Sequence, residues 1–183
     1  MQETRQVVLL SLLIALAVVL RGLEGLIPTP LPWVRLGLAN IMTLVAILLF
    51  GLKAGLLLTA LRVLIASLIF GTFLSPTFFL SVSAGLCSTL VMGIMSATGH
   101  HLFSPLGISV AGGFTHNLVQ LGVAYLLLVK HVEIFYVFPI LSLIGILSGF
   151  FNGWMALLVY DRITHQWDYL LPPLHHPQKN NLV

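Results

Sequence analysis

The chain has 183 residues, 58% of them hydrophobic and only 7% charged, with a mean hydropathy of +1.07. A soluble domain carries about 25% charge, so this chain has too little polar surface to face water all round and reads as an integral membrane protein. Its eight Lys and Arg against five Asp and Glu give a formal net charge of +3, scattered with no basic stripe, which argues against nucleic acid as a partner.

A membrane-spanning helix needs about 17–25 mainly apolar residues. Six stretches of that kind are predicted, at about 7–26, 36–52, 54–72, 76–97, 106–130 and 137–160. They are too long and too continuously apolar to be barrel strands. The expected fold is therefore all-α, a polytopic six-helix membrane domain over residues 1–160. A polar cytoplasmic tail over 161–183, with Pro172, Pro173 and Pro177, is expected to be poorly ordered.

In the first span, Arg5 precedes the apolar run and Ala15-Leu16-Ala17 has the form of a signal-peptide cleavage site. Val18, Val19 and Leu20 continue the run, which favours a retained helix. "IPTPLPW" at 27–33 has three prolines in seven residues and reads as an ordered loop, not a helix. "GLK" at 51–53 is barely a turn, while "GTFLSP" at 71–76 and "GHHLFSP" at 99–105 carry the Gly and Pro that break helices. With both termini inside, the inner loops hold Arg5, Lys53, Arg162 and Lys179, against Arg21, Arg35 and Lys130 outside. The excess sets both termini in the cytoplasm.

Polar side chains inside the spans are placed by helical geometry. In the fifth span Gly113, His116, Asn117, Gln120 and Ala124 fall within one arc of about 100°. That face must look into the bundle, because lipid offers no hydrogen bonds. In the third span Gly55, Thr59, Arg62 and Ala66 share a face. The second carries Asn40 and Thr43, the fourth Ser81, Ala84, Gly85 and Ser88, and the sixth Ser142, Gly145, Gly149 and Asn152.

Two readings compete for these positions. In one, small residues let backbones approach and hydroxyls and amides act as packing glue, at about 0.6 kcal/mol each; this suits spans four and six. In the other, the polar groups line a site. Arg62 favours the second, since a central Arg costs about 2.5–3.5 kcal/mol on insertion scales and packing alone needs no permanent charge. Glu24, at the end of span one, and Glu133, in a loop, are the nearest acid candidates. Arg21, Glu24 and Arg35 bracket the proline-rich loop, either as ordinary interfacial charges or as the mouth or lid of the same cavity. Trp33 fits an aromatic belt. The pairs His100-His101 and His175-His176 lack the further ligands that a metal site needs. Cys87 packs as a small hydrophobe. No phosphate loop, GxSxG, HExxH or CxxC motif is present, and no cofactor or metal is expected.

Three stretches, "RLGLANIMTLVAILLFG" (35–51), "ALRVLIASLIFGTFLSPTFFLSVSAG" (60–85) and "GISVAGGFTHNLVQLGVA" (107–124), resemble the Gx transporter family, often labelled heptaprenyl diphosphate synthase component I. The resemblance runs over about residues 7–160. That family is similar to the S components of energy-coupling factor transporters. Those are six-helix membrane proteins that bind a vitamin-like or other small ligand and pair with a transmembrane coupling protein and two ATPases. The resemblance implies that Ser11 and Ala15 of the first span, which share a face as i and i+4, meet the coupling protein. The metal-binding members begin Met-x-His, whereas this chain begins Met-Gln-Glu.

Prenyl chain elongation binds diphosphate through magnesium on clustered aspartates, and magnesium needs hard oxygen ligands. The two Asp here, Asp161 and Asp168, lie apart in the tail. The chain is therefore expected not to be an enzyme. The expectation is a bacterial inner-membrane transport component that holds a small vitamin-like or isoprenoid-related ligand on Asn40, Arg62, His116, Asn117 and Gln120, amid membrane lipid. The alternative is a non-catalytic accessory subunit in quinone or prenyl-lipid metabolism or flavin-linked extracellular electron transfer, with the polar cluster locking helix packing.

Overall fold

The structure is a computed structural model that describes residues 2–26, 37–98 and 103–170. Among these residues it has six α-helices and no strand. They are α1 (Gln2–Gly25), α2 (Ala39–Phe50), α3 (Leu52–Ile69), α4 (Pro76–Thr98), α5 (Pro105–Ala124) and α6 (Phe138–Leu170). All except α2 belong to apolar helical stretches long enough to cross a membrane. The chain is a multi-pass membrane protein.

The second helix differs from expectation. In place of a span over 36–52 it has 12 residues, about 18 Å of rise, against a hydrocarbon layer of about 30 Å. Gly37 and Gly51 bound it at φ 74° and 84°, in a region that glycine enters without steric cost. What α2 lacks in length it makes up in burial: every residue from Ala39 to Ile47 is buried. It packs against α1, α3, α4 and α6. The main core gathers around it, with Leu13 and Ala17 from α1, Leu58 from α3, Met92 from α4, Ile108 from α5 and Ala156 from α6. Large apolar side chains such as Leu12, Leu16, Ile94, Leu143, Leu147 and Phe150 point outward, as a lipid-facing surface requires.

The helix ends also differ. The fifth span closes with a π-helical turn, Tyr125–Val129, where the Lys130 N–H reaches the Tyr125 carbonyl at 3.0 Å. A 3-10 segment, Val132–Val137, leads into α6. The helix α6 runs to Leu170, past position 161 where the tail was expected to begin. The reason lies in the sequence: "DRITHQ" at 161–166 is polar but has no Gly or Pro, so nothing stops the helix before Pro172.

The α5–α6 seam is the tightest in the bundle. Gly145, Gly149 and Gly153 recur every fourth residue along α6. A Cβ at Gly149 would lie 2.8 Å from the Ser109 carbonyl oxygen, and one at Gly145 would lie 2.9 Å from the Gly113 carbonyl oxygen. The two backbones touch, the small-residue packing used where lipid leaves no hydrophobic drive for helix association. A second polar feature ties α2, α3 and α4 together. The hydroxyls of Thr43 and Thr59 are 3.4 Å apart, those of Thr59 and Thr89 are 2.9 Å apart, and Thr89 donates to the Gly85 carbonyl at 2.8 Å.

Candidate ligand cavity

A cavity of about 330 Å³ lies at the end of the bundle that carries the α1–α2 and α3–α4 connections. Its wall is built from the last turn of α1, the first residues of α2, the C-terminal half of α3, the start of α4 and the middle of α5.

Arg62 is the central cation. It is 7% exposed, and its Nη2 donates to Asn40 Oδ1 at 2.7 Å. Its Nε–H is buried with no hydrogen-bond partner among the described residues. Gly85 of α4 leaves room for the guanidinium: a Cβ there would sit 3.1 Å from Thr59 Cγ2 and 3.8 Å from Arg62 Nη2.

Glu24 lines the same cavity and is 5% exposed. Its carboxylate accepts the backbone N–H groups of Gly37 and Leu38. It also forms an ion pair with Arg21 at 3.6 Å. A carboxylate at this point complements the positive end of the α2 dipole and satisfies amides that helix geometry leaves orphaned. Sequence reasoning assigned Arg21 and Glu24 to a mouth or lid; the structure places both in the cavity wall, with Glu24 also capping α2. Arg35, the third residue of that group, lies outside the described residues, as do Trp33, His100, His101, His175 and His176.

His116 lines the cavity from α5. Its ring interacts with the Ala84 carbonyl of α4, and its Nδ1 is buried without a hydrogen-bond partner among the described residues. Asn117, the next residue, turns away: its Nδ2 donates to the Leu141 carbonyl of α6 at 2.8 Å. Gln120 is buried and engaged elsewhere, and it is not among the lining residues. So of the five positions expected to share a pocket, Asn40, Arg62 and His116 meet in one. Asn117 belongs to the α5–α6 seam, and Gln120 lies off the cavity. Asn152 of α6 donates to the Gly37 carbonyl at 3.1 Å, which steadies the chain where it enters α2. Ser11 and Ala15 are exposed on the outer side of α1.

Sequence reasoning missed part of the wall. Ser67 and Phe70 stand at the C-terminal end of α3, and Thr77 and Phe78 begin α4. Helical periodicity from Arg62 does not reach the first two: Ser67, five residues on, lies about 140° round the helix, and Phe70 lies just past its last residue. The latter two lie just past "GTFLSP" (71–76), at the start of the expected fourth span, and were not singled out. There Ser75 holds the turn, its hydroxyl 2.6 Å from the Thr72 carbonyl and 2.7 Å from the Thr77 hydroxyl. Phe78 stacks edge-on against Phe73 with centroids 5.2 Å apart. No group of three or more His, Cys, Asp or Glu side chains among the described residues is placed to hold a metal ion.

The bundle is similar to a solved structure described as the S component of a bacterial ECF transporter. The TM-score is 0.71 at 19% identity, over 90% of this chain and 98% of that one. The two share a fold. A family model described as heptaprenyl diphosphate synthase component I matches residues 13–159, and the chain belongs to that family. No curated protein matches the sequence.

Proposed function

We propose that this chain is the substrate-binding membrane component of a small-molecule transporter, with the ligand held in the cavity between α1, α2, α3, α4 and α5. The observation that carries this reading is Arg62: a buried guanidinium on the wall of a 330 Å³ cavity, with its Nε–H directed at no described protein group. A charge in a membrane bundle that served packing alone would be fully engaged by its neighbours, because each unsatisfied donor costs about 1–3 kcal/mol. The volume falls in the range of small-molecule sites, about 300–1,000 Å³. The fold shared with an ECF transporter S component supports the same reading.

In this reading Arg62, Asn40 and His116 bind the ligand. Arg21 and Glu24 form the mouth, and the cavity opens outward from an inner membrane with both termini cytoplasmic. The exposed Ser11 and Ala15 offer a small-residue face of α1 to a transmembrane coupling protein that works with ATPases. In this reading the chain binds and does not catalyse, although the family description names a synthase component. Its place in a prenyl or quinone system would be that of an accessory.

Native mass spectrometry of the protein, solubilised in mild detergent from its own host membrane, tests the reading. A reproducible small-molecule adduct that disappears in the Arg62→Leu variant, with the bundle still folded, is the expected result. A bare chain, or an Arg62→Leu variant that unfolds with no adduct to lose, would sink the proposal and leave a membrane subunit whose polar residues serve packing.

A further inference from the structure

We propose that Asn152 of α6, which does not line the cavity, is a positioning residue for the ligand site: it sets the direction of the Arg62 guanidinium through Gly37 and Asn40. This role rests on reading the cavity as a binding site and adds a residue that acts on it from behind. Gly37 is the junction. Its backbone sits at φ 74°. Glycine has more conformational freedom than any other residue, so hydrogen bonds from elsewhere must fix it. Those bonds come from three helices. The Gly37 N–H donates to the Glu24 carboxylate of α1. The Gly37 carbonyl accepts the Asn40 N–H of α2 at 2.8 Å and the Asn152 Nδ2–H of α6 at 3.1 Å. A carbonyl oxygen has two lone pairs, and these two donors fill both.

The next step runs through the Asn40 side chain. A guanidinium only donates, so the Asn40 atom 2.7 Å from Arg62 Nη2 must be the oxygen. The amide is planar, which turns its Nδ2 away from the charge. Gly37 lies on that side: a Cβ there would be 3.1 Å from Asn40 Nδ2 and 3.7 Å from Asn152 Nδ2. Both amides thus lie against the bare face of one glycine. While Asn152 holds the Gly37 carbonyl, Gly37 is a fixed floor for the Asn40 amide, and that amide holds Nη2 of Arg62 by a charge-assisted bond. Without Asn152 the floor is free to shift, and the acceptor that aims the guanidinium shifts with it. The seam supplies a matched contrast. Asn117 is another buried amide that donates Nδ2 to a carbonyl of a neighbouring helix, at Leu141, but neither Asn117 nor Leu141 lines the cavity.

The test uses the full chain in mild detergent, with Asn117→Leu as the control for lost packing. Nitrogen NMR of labelled arginine, with Arg62 assigned by its absence in Arg62→Lys, reads the rotation of the guanidinium. Rotation should be hindered in the wild type, about tenfold faster in Asn152→Leu and within about twofold of the wild type in Asn117→Leu. In Asn40→Ala the rotation should already be fast, and adding Asn152→Leu should change nothing further. The second readout is the half-life of the small-molecule adduct carried from the host membrane, followed by native mass spectrometry in detergent buffer free of small molecules. It should shorten about tenfold in Asn152→Leu and stay within about twofold in Asn117→Leu. If Asn152→Leu does not fold, Asn152→Ser, which withdraws the amide donor and keeps a small polar group, takes its place. A guanidinium that rotates freely in the wild type, or equally in the wild type and the Asn152 variant, overturns the positioning role whether or not an adduct is seen. Equal shortening of the half-life in the Asn152 and Asn117 variants overturns it too. A wild type with no adduct overturns the binding proposal instead, and the Arg62 rotation then decides the positioning role by itself.

Discussion

His116 and Asn117 are consecutive on α5, yet they belong to two regions of opposite construction. On the His116 side, α1 to α5 stand apart around a cavity of about 330 Å³ whose wall holds Arg62, Glu24 and Arg21. On the Asn117 side, α5 and α6 meet backbone to backbone, with glycine at each crossing and Asn117 spanning the seam to the Leu141 carbonyl. One region keeps space open and leaves Arg62 Nε and His116 Nδ1 without a partner among the described residues; the other pairs the Asn117 amide and packs backbone on backbone. The contrast teaches that a polar residue in a membrane helix is not by itself a site. What separates the two positions is their surroundings: His116 lines the cavity, whereas Asn117 faces the α5–α6 seam and donates to the Leu141 carbonyl.

The comparison can be broken from either side. The largest effect is expected in the seam. Gly149→Leu would drive a side chain into the Ser109–Val110 backbone, where no flexible neighbour can give way. The bundle should lose about 3 kcal/mol or fail to assemble, read as the midpoint of reversible unfolding in detergent. A variant as stable as the parent would mean that the seam is looser than described.

Next comes the cavity. Arg62→Leu should weaken ligand binding about a hundredfold, since it removes a charge-assisted contact, while costing less than half the stability loss of Gly149→Leu. The comparison fails if the two variants unfold alike. Glu24→Ala strips the anion from the start of α2 and leaves Arg21 unpaired. About 1–2 kcal/mol should go, with hydrogen exchange rising first at the amides of Gly37 and Leu38. No change at those amides would show that Glu24 does not cap the helix.

The smallest effect separates the consecutive pair most sharply. Asn117→Leu removes the bond to Leu141 and should cost about 0.6 kcal/mol, with less than about 1.7 kcal/mol as the upper bound seen for such bonds. Ligand affinity should stay within about twofold, because Asn117 does not line the cavity. A large loss of affinity in this variant, with stability unchanged, would return Asn117 to the binding site.

That this is a helical membrane protein was legible in the order of residues alone. Length and hydropathy of each run decide that, because in lipid a backbone must satisfy its own hydrogen bonds and a helix does so locally. Arg62 stands out in the sequence as well, since a charge that deep in an apolar run is costly and calls for partners wherever they come from. The resemblance of its polar stretches pointed to the S-component-like bundle that the structure has.

Tertiary structure decided the rest. Whether a 12-residue α2 spans the membrane or sits as the buried hub depends on glycine dihedrals at Gly37 and Gly51 and on what surrounds it. That Glu24 caps α2, that Asn40 holds Arg62, and that Thr77 and Phe78 join the wall are contacts between elements far apart in the chain. Helical periodicity gave His116, Asn117 and Gln120 a common face. It could not divide that face between a cavity and a seam, because at 100° per residue adjacent positions point to different neighbours once helices stand on both sides.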